Sequence, residues 1–371
     1  MKKAFCLLVI GLWINVPGNG QVYFPFKTED KQSSILAYWY NCKPDSVTLA
    51  TLNETFYFQS TLQLYGPVIS DSFYVKVEVF LPDGIMAYTN NFLIRKDAPV
   101  KNYQVDVINN YFRIMSSVDQ LSKDPDKIKV TIYSSDRHLE KWIFCKYHKI
   151  YGHMTDFSGN PLRSFISVKP DAFEDVNAVW SNADGYYEIS LPERTYNNFY
   201  VNDGNYRSTT LEAWSWHMIV DEDQEIDYKI GTGEVYNLTV WPNNGGYNSL
   251  LLSFRPMVLG DRSKTKSKQI INDKEFNLNN IAPELDIKDM NITINGKQAE
   301  IYSIQKYFET GQNISMCAYL VQIRRLEPTF GKQTIRVEYN KTVEQAGKKI
   351  FQNSMGYFQL YVNFSGKSAF N

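Results

Sequence analysis

The sequence predicts an all-β protein built from β-sandwiches in tandem. Apolar and polar residues alternate along many short segments, such as Phe73 to Phe80 and Tyr186 to Leu191, with the period of a half-buried strand. Turn signals separate these segments at a spacing of roughly ten residues, which is typical of a sandwich. At ~150 residues per domain, a chain of 371 residues holds two or three such units.

The first element along the chain is a secretory signal peptide. Lys2 and Lys3 precede an apolar run from Ala4 to Val16, and small residues follow before Gln21. We expect cleavage before Gln21, which removes residues 1–20 and gives an exported protein that is extracellular, at the cell surface or periplasmic. No later segment approaches the ~20 apolar residues that a transmembrane helix needs.

Three sandwich domains are predicted after the signal peptide. An Ig-like sandwich covers residues 21–147, a second sandwich covers 148–232, and another Ig-like sandwich covers 233–371. Gly231 and Gly233 mark the last boundary because glycine pairs interrupt strand patterns. One segment of the third domain breaks the alternation: apolar residues between Val343 and Phe351 recur at helical spacing and predict a helix.

The segment from Ile150 to Pro192 carries the clearest local signals. Pro161 after Gly159 predicts a tight turn, because proline fixes its own φ and pushes the preceding residue out of the helical region. Asp184 and Gly185 predict a hairpin turn, since glycine tolerates the positive φ that such turns require. The alternating residues that follow predict a half-buried strand.

Residues 150 to about 230 resemble the carboxypeptidase regulatory-like domain, a prealbumin-like β-sandwich. The resemblance is carried by the segments Ile150–Met154, Asp156–Leu162 and Ser181–Pro192. It implies a non-catalytic module of an exported or surface protein, of a kind that occurs beside Ig-like domains. The chain departs from the pattern between Tyr196 and Arg207, where it is longer and more polar. The predicted fold class is therefore tandem Ig-like and prealbumin-like β-sandwiches after a signal peptide.

The charge balance argues against a nucleic-acid partner. The chain has 39 basic and 40 acidic residues, whereas a binder of the phosphate backbone clusters Lys and Arg on one face. Its one basic cluster, at Lys264, Lys266 and Lys268, alternates with Ser and Thr and indicates a solvated loop.

An enzyme is not expected from the motifs present. The four histidines show no His-Glu-x-x-His spacing, and neither Cys-x-x-Cys nor a Gly-x-Ser-x-Gly elbow occurs. One enzymatic alternative stays open, because the separation of catalytic carboxylates is a property of the fold. It is a hydrolase that uses a carboxylate pair between two domains.

Calcium is the one cofactor that the sequence suggests. Asp221, Asp223 and Asp227 place hard oxygen ligands in a single short loop, as calcium prefers. The loop lacks the Asp-x-Asp-x-Asp-Gly spacing of an EF-hand, so a solvated acidic turn is the alternative. No other cofactor is expected.

Aromatic residues make up 15% of the chain and suggest a surface for stacking on sugars. Trp39, Tyr40 and Trp241 lie near turns and are the candidate binding residues. An interdomain contact is the alternative use of Trp39 and Tyr40. Trp214 and Trp216 share the alternation of Met218 and Val220, so we predict that all four pack on one face in a core.

Three cysteines remain after removal of the signal peptide, and they leave two possibilities. Cys42 and Cys145 lie near the start and the end of the first domain and could form a disulfide in an oxidising compartment. The alternative is that both of them and Cys317 are buried thiols.

These observations predict a secreted or periplasmic, non-enzymatic protein that acts as a surface scaffold or binding module. Glycans or cell-surface proteins are the expected partners. The alternatives are a carbohydrate-binding protein of a polysaccharide-handling system and the hydrolase with an interdomain carboxylate pair.

Overall fold

The computed structural model describes Lys31 and residues 34–362, and it confirms the all-β class and the tandem sandwiches. Within that range the description omits residues 44, 50–53, 98–103, 109, 244–246, 260–265, 272, 280, 312–313, 327–329 and 346. The predicted signal peptide lies outside the described residues. Apart from a 3-10 turn at Ile287–Asp289, every regular element in the described ranges is a β-strand. None of the described residues belongs to a helix long and apolar enough to cross a membrane.

The N-terminal region folds into two four-stranded sheets that enclose a core. One sheet has the order β1-β4-β8-β7, the other has the order β10-β9-β5-β6, and β2 and β3 form a separate hairpin. Alternation places Phe73, Val75, Val77 and Val79 of β5 in the core between the two sheets. The strands are β1 (Leu36–Tyr40), β2 (Asp45–Leu49), β3 (Glu54–Phe58), β4 (Ser60–Pro67), β5 (Ser72–Phe80), β6 (Met86–Arg95), β7 (Gln104–Ile108), β8 (Tyr111–Val118), β9 (Lys127–Tyr133) and β10 (His138–Phe144).

The middle region packs a short sheet against a longer one. Strands β14, β11 and β17 pair side by side, β18 also pairs with β11, and β13-β12-β15-β16 form the facing sheet. Residues from both sheets, such as Ile150, Ile189, Val168 and Phe199, meet in one core. The strands are β11 (Tyr147–Asp156), β12 (Phe165–Lys169), β13 (Asn177–Trp180), β14 (Tyr186–Pro192), β15 (Arg194–Asn202), β16 (Ala213–Val220), β17 (Gln224–Glu225) and β18 (Tyr228–Ile230).

Both turns predicted in the middle region are present, but the second is not a hairpin, because it connects β13 and β14, which pair with β12 and β11 in different sheets. The Asp156 carboxylate accepts hydrogen bonds from the backbone N–H groups of Ser158, at 2.8 Å, and Asn160, at 2.9 Å. Gly185 has a φ of 78°, and a Cβ at this position would lie 2.4 Å from the carbonyl oxygen of Met154. Glycine is therefore needed there both for the positive φ and for the close approach of the Gly185 and Met154 backbones.

The C-terminal region shares a sheet with the middle region. Strand β28 pairs in parallel with β16, so that an eight-stranded sheet runs β13-β12-β15-β16-β28-β27-β23-β24. A second sheet, β19-β20-β26-β22-β21 with β25 beside β26, covers the C-terminal core. The strands are β19 (Gly233–Pro242), β20 (Ser249–Val258), β21 (Lys266–Ile271), β22 (Lys274–Asn279), β23 (Met290–Ile294), β24 (Lys297–Gln298), β25 (Ile301–Gly311), β26 (Ile314–Arg324), β27 (Gly331–Gln345) and β28 (Lys348–Val362).

Residues that were predicted to share one face of strand β16 pack in two different cores. Trp214 and Trp216 are buried as predicted, but they pack in the C-terminal core, whereas Met218 and Val220 pack in the middle core. His217 between them has a φ of 52°, so the strand does not keep its extended period there. A strict alternation therefore fails across this residue.

Two local predictions for the C-terminal region are wrong. The segment Val343–Phe351 is not a helix but the end of the β27–β28 hairpin, in which Gly347 has a φ of 74° and forms the turn. The basic run is not a simple loop, since Lys266 and Lys268 lie in β21 and Lys268 forms an ion pair of 2.7 Å with Glu275. Lys264 lies outside the described residues.

A buried polar contact joins the N-terminal and middle sandwiches. The Arg194 guanidinium, at the start of β15, donates to the Tyr40 hydroxyl at 2.8 Å and to the Gln63 side-chain oxygen at 2.7 Å. It also forms an ion pair of 3.2 Å with Asp171. We call Arg194, Asp171, Tyr40, Gln63 and Tyr65 the joint, because the hydroxyl of Tyr65 donates to the Asp171 carboxylate.

The charges of the joint are largely shielded from water. The Arg194 and Asp171 side chains are 12% and 18% exposed. Burial, together with the neighbouring Asp171 carboxylate, raises the pKa of Tyr65, so its hydroxyl remains a donor at neutral pH. Each charge depends on its partner, because a buried charge without one is costly.

Replacing Arg194 with alanine should lower the free energy of unfolding by about 3 kcal/mol, because Asp171 then loses its nearest cation. Urea denaturation followed by tryptophan fluorescence and circular dichroism measures this change. The matched control is Arg163→Ala, which removes an exposed arginine that only stacks on Trp180. Equal losses in both variants would contradict a stabilising role for the joint.

Candidate functional site

The structure corrects two of the three predicted sugar-binding residues. Trp39 is fully buried in the N-terminal core, where its ring meets that of Tyr88 edge-on at 5.2 Å. Tyr40 is fully buried in the joint. The alternation of β1 turns one side of the strand to its own core, and the middle sandwich covers the other side. Trp241 alone of the three is exposed, at 38%.

Exposed aromatic side chains gather instead on the outer side of the sheet β10-β9-β5-β6. Cross-strand pairing aligns Phe80 with Lys127 and Lys127 with Phe144, and it places Trp142 beside Lys129 in the next row. Phe144 is 73% exposed and Trp142 is 41% exposed. We define the aromatic face by the large side chains on this surface, which are Tyr74, Phe80, Met86, Tyr133, Trp142 and Phe144.

The rings of the aromatic face pack against one another in two groups. Phe80 and Trp142 have centroids 5.4 Å apart, and Tyr74 and Tyr133 are stacked at 5.4 Å. Contacts of this kind restrict the rings without covering them. The face is thus preorganised, because the sheet beneath it is anchored in the N-terminal core.

Lysine side chains give the aromatic face a local positive charge. The ammonium groups of Lys127 and Lys129 lie 5.5 Å and 5.4 Å from the centre of the Trp142 ring. Lys129 also forms an ion pair of 3.0 Å with Glu140. Lys127 forms no ion pair with any described residue, so its charge is available to an anionic group.

The sequence contains a signal for this face that the prediction missed. Trp142 and Phe144 share their alternation with His138 and Glu140, whereas Ile143 on the other side packs against the core. Polar residues in the same period as large aromatic residues indicate a solvated strand face. Proximity to turns, which selected Trp39 and Tyr40, is a weaker guide.

The three acids of the predicted calcium loop have separate structural partners. Asp221 forms an ion pair of 2.6 Å with Lys332. Asp223 accepts the backbone N–H of Lys149 at 2.8 Å, and Asp227 accepts that of His153 at 2.8 Å. Within the part of the chain that the structure describes, these three acids do not form a group whose ligand atoms all lie within 4.8 Å.

No disulfide links the cysteines of the described residues. The Cys42 thiol faces the carbonyl oxygens of Lys43, at 3.3 Å, and Ala178, at 3.9 Å. Cys145 packs against the N-terminal core, and burial raises the pKa of its thiol to about 11. The predicted Cys42–Cys145 bridge is therefore not formed in this structure, because the Cys42 thiol points towards the middle sandwich.

A carboxyl pair does lie between the middle and C-terminal regions. Glu212 precedes β16, Glu234 lies in β19, and each residue is only 6% exposed. Burial raises the pKa of both carboxyl groups above the ordinary value of 4.5, and the Glu212 carboxylate raises that of Glu234 further. The Trp214 indole donates to Glu234 at 3.2 Å. Burial of both carboxyl groups favours their neutral forms and separates them from a substrate in solvent.

This carboxyl pair should make the protein less stable as pH rises. Unfolding lowers both raised pKa values to about 4.5, so the folded state holds more protons above that pH and loses stability until the pair is ionised. Glu234→Gln removes one of the two charges and should raise the free energy of unfolding by roughly 1–2 kcal/mol at pH 8, with little effect at pH 4.5.

Thermal and urea denaturation of both proteins across this pH range measures the effect. The control is Glu300→Gln, which replaces an exposed acid in an ion pair of 3.8 Å with Arg324. A Glu234→Gln difference that does not change with pH would contradict the raised pKa values of the pair.

No protein-family model matches the chain, and no curated protein matches it in sequence. Among solved structures, the pilus 2b backbone protein of group B streptococcus aligns at 10% identity over 53% of this chain and 96% of that one, with a TM-score of 0.18. The Bacillus anthracis TIE protein aligns at 12% identity over 82% of this chain and 70% of that one, with a TM-score of 0.19.

The Dpr2 Ig1-Ig2 structure in complex with DIP-Theta Ig1-Ig3 aligns at 7% identity over 80% of this chain and 94% of that one, with a TM-score of 0.15. Scores of this size carry no argument about function. The assignment of the fold rests on the strands and cores described above.

Proposed function

We propose that this protein is an exported, non-enzymatic scaffold whose N-terminal sandwich carries a binding face. The observation that carries the proposal is the exposure of the aromatic face on a sheet whose other side is a packed core. A cluster of large apolar side chains left in solvent is typical of an interaction surface. The joint and the shared sheet would hold this surface in a fixed position relative to the other two sandwiches.

The middle sandwich fits the role of a structural module of the carboxypeptidase regulatory-like kind. The turns at Asp156 and Gly185, which lie in the segments that carry this resemblance, support the proposal. Its interior is filled by apolar side chains from both sheets. A non-enzymatic role is supported by the burial of Glu212 and Glu234, which keeps the carboxyl pair away from any substrate.

The binding partner that the aromatic face fits best is an acidic glycan. The negative faces of Trp142 and Phe144 would attract the C–H groups of a sugar ring. Lys127, which has no ion pair of its own within the described ranges, would bind a carboxylate or sulfate group on the same chain of sugars. A cell-surface protein is the alternative partner, and the experiment below separates the two.

The mature protein, screened on a glycan array, should bind acidic polysaccharides, and Trp142→Ala should weaken this binding by about 10-fold or more because it removes a stacking surface. Trp241→Ala is the matched control, since it removes an exposed tryptophan far along the chain from the aromatic face. Raising the salt concentration should weaken binding by the wild type more than by Lys127→Ala. Binding that survives Trp142→Ala, or an array with no bound glycan, would contradict the glycan proposal.

Export can be tested independently of binding. When the full chain is expressed in a bacterial host, the exported fraction should contain a protein whose intact mass corresponds to an N-terminus at Gln21. Leu8→Arg, which interrupts the apolar run, should leave the precursor inside the cell. Uncleaved protein in the exported fraction would contradict a cleavable signal peptide.

A further inference from the structure

A second site is formed where the acidic loop crosses β11. His153 of β11, Glu225 of β17 and Asp227 each offer a ligand atom, and these atoms lie within 4.8 Å of one another. All three side chains are exposed, so an ion can reach them from solvent. The parallel pairing of Tyr151 with Glu225 and of Met154 with Tyr228 fixes the register that brings them together.

The two carboxylates of this group lack the cations that neutralise the other acids of the loop. Asp221 and Glu222 both form ion pairs with Lys332, at 2.6 Å and 2.5 Å. Glu225 and Asp227 form no ion pair with any described Lys or Arg, and within the described residues Asp227 pairs with the imidazole of His153, at 3.9 Å. Two adjacent carboxylates without such a partner favour the binding of a cation.

The backbone that carries Asp227 is held firmly in place. The hydroxyl of Tyr187 donates to the carbonyl oxygen of Ile226 at 2.7 Å, and that of Tyr357 donates to the carbonyl oxygen of Asp227 at 2.7 Å. Gly152 allows this approach, because a Cβ there would lie 2.4 Å from the Ile226 oxygen. The site is therefore built on a fixed loop rather than on two independent surface acids.

The ligand side chains are oriented as well. The Asp227 carboxylate accepts the backbone N–H of His153 at 2.8 Å, which leaves its second oxygen for an ion. The ring of Tyr186 meets the His153 imidazole edge-on at 5.5 Å and limits its rotation. Contacts behind the ligands that set their orientation are a regular feature of metal sites.

We infer that His153, Glu225 and Asp227 bind a divalent transition-metal ion, with zinc as the leading candidate. One imidazole and two carboxylates form a nitrogen and oxygen set that suits zinc, whereas calcium takes six to eight oxygen ligands. Ligand atoms at ~2.0–2.2 Å from a tetrahedral ion lie ~3–4 Å apart, which small side-chain rotations can reach here. Water completes the coordination of the exposed ion.

This site revises the calcium hypothesis for the acidic loop. Of the three acids that the sequence suggested, only Asp227 is a ligand, and the histidine that joins it lies more than seventy positions earlier in the chain, on β11. Bound metal would connect β11 to the segment between β17 and β18 and so stabilise the middle sandwich.

The test is a titration of the mature protein, prepared without a polyhistidine tag, with Zn²⁺ by isothermal calorimetry and with Co²⁺ by visible absorption. We expect a single saturable site, a Co²⁺ spectrum with nitrogen and oxygen ligands, and a higher melting temperature with Zn²⁺. His153→Ala and Glu225→Gln should each weaken Zn²⁺ binding by about 10- to 100-fold.

The matched control is His148→Ala, on the same strand, whose imidazole lies 3.2 Å from Glu193 and is not part of the group. Its Zn²⁺ affinity should equal that of the wild type, and circular dichroism should show that all three variants are folded. Equal affinity in His153→Ala, or saturable Ca²⁺ binding without Zn²⁺ binding, would overturn the inference.

Discussion

The Arg194 guanidinium, paired with Asp171, determines which face of the N-terminal sandwich is buried against the middle sandwich. The ion pair lies within the middle sandwich, and the Arg194 guanidinium gains its hydrogen bonds to Tyr40 and Gln63 when β1 and β4 of the N-terminal sandwich cover the start of β15. One face of the N-terminal sandwich is therefore committed to an internal contact. The sheet on its far side remains open to solvent, and that sheet carries the aromatic face.

Burial explains why the aromatic residues divide into two classes. Tyr38 and Tyr40 contact the Arg194 guanidinium, at 4.3 Å from the ring of Tyr38, so their π-faces and hydroxyls are already used. Among the described residues, the ring of Trp142 contacts Phe80, Lys127 and Lys129 at the surface. In a protein this rich in aromatic residues, a ring is a candidate for ligand binding only when its contacts within the protein leave it exposed.

The parts of the fold that depend on residues close together in the sequence could be predicted from it. The turns at Asp156 and Gly185 follow from backbone preferences, and the strands follow from alternation. The pairing of β16 with β28, the covering of Tyr40 by Arg194 and the meeting of His153 with Asp227 all join distant segments, which no local pattern encodes. The helix predicted near Gly347 failed because a hairpin end carried apolar residues at helical spacing by coincidence.

The parallel pairing of β28 with β16 has a consequence for how the chain folds. Met355 and Tyr357 of β28 are buried in the middle core, although the rest of that core comes from residues 40 and 150–230. Domains made during synthesis usually fold in order from the N-terminus. Here the middle sandwich completes its core only with a strand that emerges more than a hundred residues later, and until then the edge of β16 that β28 pairs with is open.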